Sequence, residues 1–168
     1  AGNRRAFAAP YDIYTCRGTE AYCAIVCADD TQWQALCTAI GRPTLAADGR
    51  FATLADRLAN IGELDEIITA WTLDYTPRQV MYRLQKVGVA ASAVQSGEDV
   101  YFDPHLRARN FVVPVDDPES GPMDVAGLSI HLSATPGRKQ MDGRPVFAGA
   151  NGYVFNTLLG LSPDERAR

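Results

Sequence analysis

The sequence predicts an α+β protein, and three observations carry that prediction. Aromatic and β-branched runs with an alternating pattern open the chain. Three segments of helical period follow them. Further short extended runs, broken by Pro and Gly, come after the helices. At 168 residues the chain accommodates one ordinary domain, or a domain with an appendage.

Residues 1–9 have no period and read as a loop or linker. Tyr11–Cys16 and Glu20–Cys27 are strand-like, and Arg17-Gly18-Thr19 between them suits a hairpin turn. Asp29, Asp30 and Thr31 offer helix caps and N-terminal negative charge. Trp33, Leu36, Cys37 and Ile40 then fall on one helical face, which Gly41 closes. A second helix carries Leu64, Ile67, Ile68 and Trp71. A third opens at Thr76-Pro77, is expected to bury Val80, Met81, Leu84 and Val87, and stops at Gly88. On such stripes Trp and Met are core residues by default.

VAASAV at 89–94 is a short apolar run consistent with a buried strand. Asp103-Pro104 starts a short helix. FVVPV at 111–115 reads as a strand that Pro114 pushes to an edge, Asp117 to Gly121 turns the chain, and MDVAG with LSIHLS adds extended structure. Residues 137–148 lack periodicity and read as a linker. The segment Tyr153–Leu161 places Val154, Phe155, Leu158 and Leu159 on one helical face, with no partner for it in the preceding unit. The expected organisation is therefore a loop at 1–9, a small α+β domain at 10–136, and a linker with a returning helix at 137–168.

A net charge of -4 with scattered arginines gives no electrostatic footprint for nucleic acid. No apolar run reaches the roughly 18 residues of a membrane span, and no apolar leader precedes Pro10, so a cytoplasmic location is expected. Cys16, Cys23, Cys27 and Cys37 show no CxxC and no nearby histidine, which argues against a metal; the expectation is reduced, structural cysteines. A reactive thiol is an alternative for Cys16, beside Arg17. His105 and His131 each read as structural, and the acid pairs Asp29-Asp30 and Asp116-Asp117 fit a cap and a turn. The chain contains no dinucleotide, phosphate-loop, zinc-protease or nucleophile-elbow motif.

The connector from Gly41 to Asn60, GRPTLAADGRFATLADRLAN, is longer and more particular than a helix–helix link requires. Phe51, Arg57 and Asn60 read as residues that pin the helical layer to the sheet. Gly41, Arg42, Pro43, Leu45, Ala47 (or Ala46), Asp48, Arg50, Phe51, Thr53, Arg57, Asn60, Glu63 and Leu64 also follow a known order. The run resembles the C-terminal part of the class III CoA-transferases (the CaiB/BaiF family), which include formyl-CoA and carnitine CoA-transferases and 2-methylacyl-CoA racemase.

Other blocks agree with that resemblance and occur in its order. They are Gly2-Asn3 with Pro10, Tyr14, Cys16 and Gly18; Gly88-Val89 and Val94; Asp103-Pro104-His105-Leu106 with Arg107 and Arg109; Gly127, Leu132, Ser133 and Thr135-Pro136-Gly137; and Gly149 with Leu158–Leu161.

The resemblance implies a small α+β domain inserted late in a chain whose ends build a large Rossmann-like domain, with two chains interlocked as a homodimer. It implies acyl-CoA as substrate and no covalently bound cofactor. It also implies a nucleophilic aspartate in the N-terminal half, acting through mixed-anhydride and aspartyl-CoA thioester intermediates. No residue here matches that aspartate, so the expectation is a fragment without turnover, prone to self-association. Gly2, Asn3 and Tyr14 are the expected acyl-CoA-facing residues. Asp29 falls near the acid of the racemase branch, which supplies an alternative reading. A non-catalytic interaction module, or a subunit pairing with a separate N-terminal half, is another. Two departures from the family pattern stand out. Arg4–Ala9 lacks the glycines of the transferase loop, and Gly149-Ala150-Asn151-Gly152 lacks the Glu and His of the closing block.

Overall fold

Two strands rich in aromatic and β-branched residues, β1 (Tyr11–Thr15) and β2 (Tyr22–Val26), pair antiparallel with Tyr14 opposite Cys23. Gly18 makes the turn at φ 131°, where an added Cβ would lie 3.1 Å from the Ala21 Cβ; the position favours glycine on both counts. β3 (Ala90–Ala93) joins the other edge of β2 with Cys23 opposite Ala93, so the sheet order is β1-β2-β3. In the computed structural model, residues 3–117, 119–135, 148–162 and 165 are described. They belong to two compact units, Ala1–Gln95 and Ser96–Arg168.

In the first unit the helices lie on one face of the sheet. α1 (Asp30–Ala39) is capped by Asp29, whose carboxylate accepts from the Gln32 amide at 2.8 Å, and it buries Trp33, Leu36 and Cys37. α3 (Ile61–Thr72) packs on β1 and buries Leu64 and Ile68. α4 (Pro77–Gln85) packs on β2 and β3, opens with a Thr76–Gln79 capping box, and buries Val80 and Leu84. Tyr14, Cys23 and Ile25 meet these helices from the sheet. Gly88, at φ 82°, ends the α4 region in the left-handed conformation.

Two expectations change here. Val87 is 43% exposed rather than buried, because it lies past the last turn of α4. The strand within 89–94 is not buried either. Val89 reaches the core, but Ala90, Ser92 and Val94 are exposed, since β3 is an edge strand with helices on only one of its faces.

The connector from 41 to 60 folds more fully than a loop. It contains a 3-10 helix, Pro43–Ala47, and a short helix α2 (Leu54–Ala59) opened by a Thr53–Asp56 capping box. Phe51 is buried edge-on against Trp33, with ring centroids 6.4 Å apart. Arg57 is 1% exposed and lies 5.3 Å from the Trp33 ring. Its guanidinium donates to the carbonyls of Ala9 (2.9 Å), Phe51 (3.2 Å) and Ala52 (3.4 Å), and to Asp30 Oδ1 (2.7 Å). Five donors in a rigid fork make arginine suited to gathering several carbonyls at once. Asn60 donates to the Arg50 and Asp56 carbonyls, and Arg50 pairs with Asp48 and Glu63. Phe51 and Arg57 thus tie the connector to α1 and to the segment before β1, whereas the side-chain bonds of Asn60 stay within the connector, so the pinning expected of it toward the sheet is not seen.

The second unit holds α5 (Gly97–Phe102), α6 (Pro104–Ala108) and the antiparallel pair β4 (Val112–Asp117) and β5 (Gly121–Ala126). Both strands are edges, which accommodates Pro114. α5 has only six residues, too few for the sequence to show a helical stripe. LSIHLS, expected as extended structure, forms no strand: Leu128, Ile130 and Leu132 are all exposed, without the alternation a half-buried strand requires. The last segment is helical over Gly152–Leu158, with i→i+5 bonds such as Leu159 N–H to the Val154 carbonyl (3.0 Å). Tyr153, Leu158 and Leu159 on it are exposed. The expected linker at 137–148 lies almost entirely outside the described residues.

Candidate functional site

Asn3 and Tyr14, two of the three residues expected to face acyl-CoA, belong to one hydrogen-bonded group in the first unit; Gly2, the third, lies outside the described residues. The group forms because β1 alternates, so Asp12 and Tyr14 point to the face covered by α3. Tyr14 is buried and its hydroxyl donates to Asp65 Oδ1 on α3 at 2.8 Å. Arg4 holds the other oxygen of Asp65 at 2.7 Å and lies 3.7 Å from Asp12 Oδ2. Asn3 closes the set by donating to Asp12 Oδ1 at 3.2 Å. Next to it, Arg5 lies 5.8 Å from the Tyr11 ring and Phe7 meets that ring edge-on at 6.0 Å.

Burial, followed by the adjacent Asp65 charge, pushes the Tyr14 phenol far above its ordinary value, so it is a neutral donor. Burial also raises Asp65, against the lowering effects of the Tyr14 hydroxyl and Arg4. Both Asp65 oxygens are engaged, so it clamps the N-terminal segment to α3 rather than offering a nucleophile. A carboxylate that attacks a thioester needs an oxygen free to approach the carbonyl carbon.

Sequence reasoning missed Arg4, Asp12 and Asp65. Asp65 lies 51 residues from Tyr14 and shows no local motif. Its one visible sign is an acid directly beside Leu64 on the buried stripe of α3.

Asp29 is not part of this group. It is exposed and its carboxylate caps α1. The reactive-thiol alternative for Cys16 is overturned. That thiol is 1% exposed, directs its Sγ–H toward the Tyr14 carbonyl (3.6 Å), and is pushed up by burial. Cys23, Cys27 and Cys37 are also buried and free, raised by burial to about 12, about 12 and about 11. Among the described residues no group of three or more His, Cys, Asp or Glu could hold a metal ion, and no helix is long and apolar enough to cross a membrane.

The decisive comparison is with the sequence model of CoA-transferase family III, which matches residues 1–150. This chain belongs to CoA-transferase family III. Among members of CoA-transferase family III, the succinyl-CoA–D-citramalate CoA-transferase of Chloroflexus aurantiacus is 38% identical over 138 residues, covering 82% of this chain and 34% of that protein. The formyl-CoA:oxalate CoA-transferase of Bradyrhizobium diazoefficiens is 30% identical over 171 residues, covering 99% of this chain and 40% of that protein. The crystal structure of a CAIB/BAIF family protein from Brucella suis superposes with a TM-score of 0.76 at 28% identity, covering 94% of this chain and 39% of that one. The α+β fold is thus the family's own. The chain spans 34% to 40% of the length of these relatives.

Proposed function

We propose that this chain is the C-terminal part of a cytoplasmic, homodimeric acyl-CoA-handling enzyme that moves CoA from one carboxylic acid to another. The carrying observation is the family match over residues 1–150, shared with relatives named as CoA-transferases. Family chemistry calls for a nucleophilic aspartate. That carboxylate attacks the thioester carbonyl and expels CoA thiolate, leaving a mixed anhydride. The thiolate then attacks the aspartyl carbonyl, forming an enzyme thioester and releasing the donor acid. The acceptor carboxylate runs the same two steps in reverse order. Every step conserves electrons and needs no redox partner.

Within this chain the reading assigns positioning, not attack. Tyr14 and Asp65 fix the N-terminal segment that carries Asn3, and the nucleophile belongs to the remaining 60% or more of the relatives' length. Residues 137–168 are the linker and the helix that return to the large domain. The exposed Tyr153, Leu158 and Leu159 support that assignment, since an apolar stripe of this kind calls for a covering surface. No observation favours the racemase alternative: Asp29 is exposed and its Oδ1 caps α1.

The test compares the 168-residue chain alone with the same chain joined to the family's N-terminal half. Each is incubated with acyl-CoA and a labelled acid, then with hydroxylamine. The joined protein should exchange label and yield one aspartyl hydroxamate, located by peptide mass spectrometry in the N-terminal half; the chain alone should give neither. Exchange by the chain alone would overturn the division of labour. A joined protein with no exchange would overturn the enzymatic reading.

A further inference from the structure

The second unit contains a cleft of about 380 Å³ that none of the preceding argument uses. Its first wall is α6 with its C-cap, where His105 and Leu106 of the helix and Arg109 of the cap recur at helical spacing and share a side. Asn110, at φ 56°, then turns the chain so that Phe111 joins the lining, its amide bonded to the Leu106 carbonyl at 2.9 Å. The second wall is the segment after β5, which contributes Leu128, Ser129 and His131.

Gly127 brings that segment in. Its amide donates to the Phe111 carbonyl, and an added Cβ would fall 2.6 Å from Val113 Cγ2. Only a residue without a side chain permits so close a crossing.

Among the described residues the lining carries one charged group, Arg109. Arg107, two residues before Arg109, is occupied by the Tyr101 carbonyl (2.9 Å), by Asp124 (3.4 Å) and by the Tyr101 ring. Arg109 makes no hydrogen bond or ion pair with its side chain among the described residues, and neither do His105, Ser129 or His131. Among the described residues no acid lines the cleft, although the chain as a whole carries net negative charge. The remaining described lining, Val100 included, is apolar. An apolar floor with a few convergent donors is the composition of a small-molecule site.

We propose that this cleft binds an oxyanion carried on an apolar group, the carboxylate or phosphate of a small organic molecule. Arg109 supplies a planar fork of donors for the oxyanion, His105, His131 and Ser129 supply further donors, and Leu106, Phe111 and Leu128 take the apolar part. The proposal does not depend on the transferase reading, because no CoA and no catalytic step enter it.

His105 and His131 are the chain's two histidines, so both walls report directly by imidazole NMR. The signals are assigned with His105→Gln and His131→Gln, and the chain is titrated with phenyl phosphate, benzoate, inorganic phosphate and neutral benzyl alcohol. Both imidazoles should shift along one saturable curve with phenyl phosphate or benzoate, and the tighter of the two identifies the oxyanion. Inorganic phosphate should bind more weakly for lack of the apolar part. Arg109→Gln should weaken binding about tenfold, the loss of one charge-assisted contact, while Lys86→Gln in the first unit should leave it unchanged. Arg109 is exposed, so its variant should keep the fold. Shifts confined to one histidine, no saturation through the millimolar range, equal affinity for benzyl alcohol, or an unchanged Arg109→Gln would each overturn the proposal.

Discussion

Replacing Arg57 with methionine should destabilise the first unit far more than its one ion pair suggests. The side chain is 1% exposed, and its partners include the carbonyls of Ala9 and Phe51, themselves buried residues. Methionine fills most of the space but leaves those two carbonyls without a donor, at about 1–3 kcal/mol each. The third carbonyl, Ala52, is 3.4 Å away and adds little. The Asp30 partner is 66% exposed, so water replaces the guanidinium there and that contact is worth about 0–1 kcal/mol. The sum is about 2–7 kcal/mol, which spans the range for breaking a buried charged network. Trp33, stacked under Arg57, gives the fluorescence reporter for urea unfolding at unchanged slope. Asp30→Asn should cost under about 1 kcal/mol and Arg57→Lys an intermediate amount. A loss below about 1 kcal/mol for Arg57→Met, or equal losses for Arg57→Met and Asp30→Asn, would refute the argument that carbonyl satisfaction dominates.

Because the folded state raises Asp65, it holds that proton where the unfolded chain has lost it. Stability should therefore fall as pH rises from the ordinary carboxylate value, about 4, through the elevated one, and Asp65→Asn should flatten that part of a Tm–pH curve. All four cysteines should resist a thiol-specific disulfide reagent at pH 8 in the native state and react fully in urea. Rapid native labelling of any one of them would contradict the burial that raises their thiols. Gly127→Ala should force the β4 and β5 pair apart at Val113, costing about 1–3 kcal/mol. Hydrogen exchange should then rise in residues 112–126 and not in β1–β2.

The parts of the fold legible in the sequence are those with enough length to show a period. The hairpin around Gly18 and helices α1, α3 and α4 each repeat their pattern at least twice, and Thr76-Pro77 announces its cap directly. Helices α2 and α5 have six residues each, too few for a stripe to stand out. The exposure of β3 depends on which strand it joins, information that is not local. The same holds for the candidate site. Tyr14 and Asn3 were reachable through family resemblance, but Asp65 meets Tyr14 only because α3 crosses β1. The cleft of the second unit is hidden for a sharper reason: His131 sits in an alternating run that predicts a strand, and a single glycine crossing places it opposite α6.

The Arg57–Ala9 bond has a mechanical side. Residue 9 is held rigidly to α2 from inside the unit, whereas residue 4 is held to α3 by a solvent-exposed arginine. A pull on the N-terminal segment therefore meets a soft spring first and a hard stop five residues later. Small displacements are absorbed at Arg4, and larger ones pass into α2 and the Trp33 ring beneath Arg57. Only a load beyond what Arg4 absorbs is transmitted to the helical layer, and single-molecule extension should show a short compliant step before the main rupture.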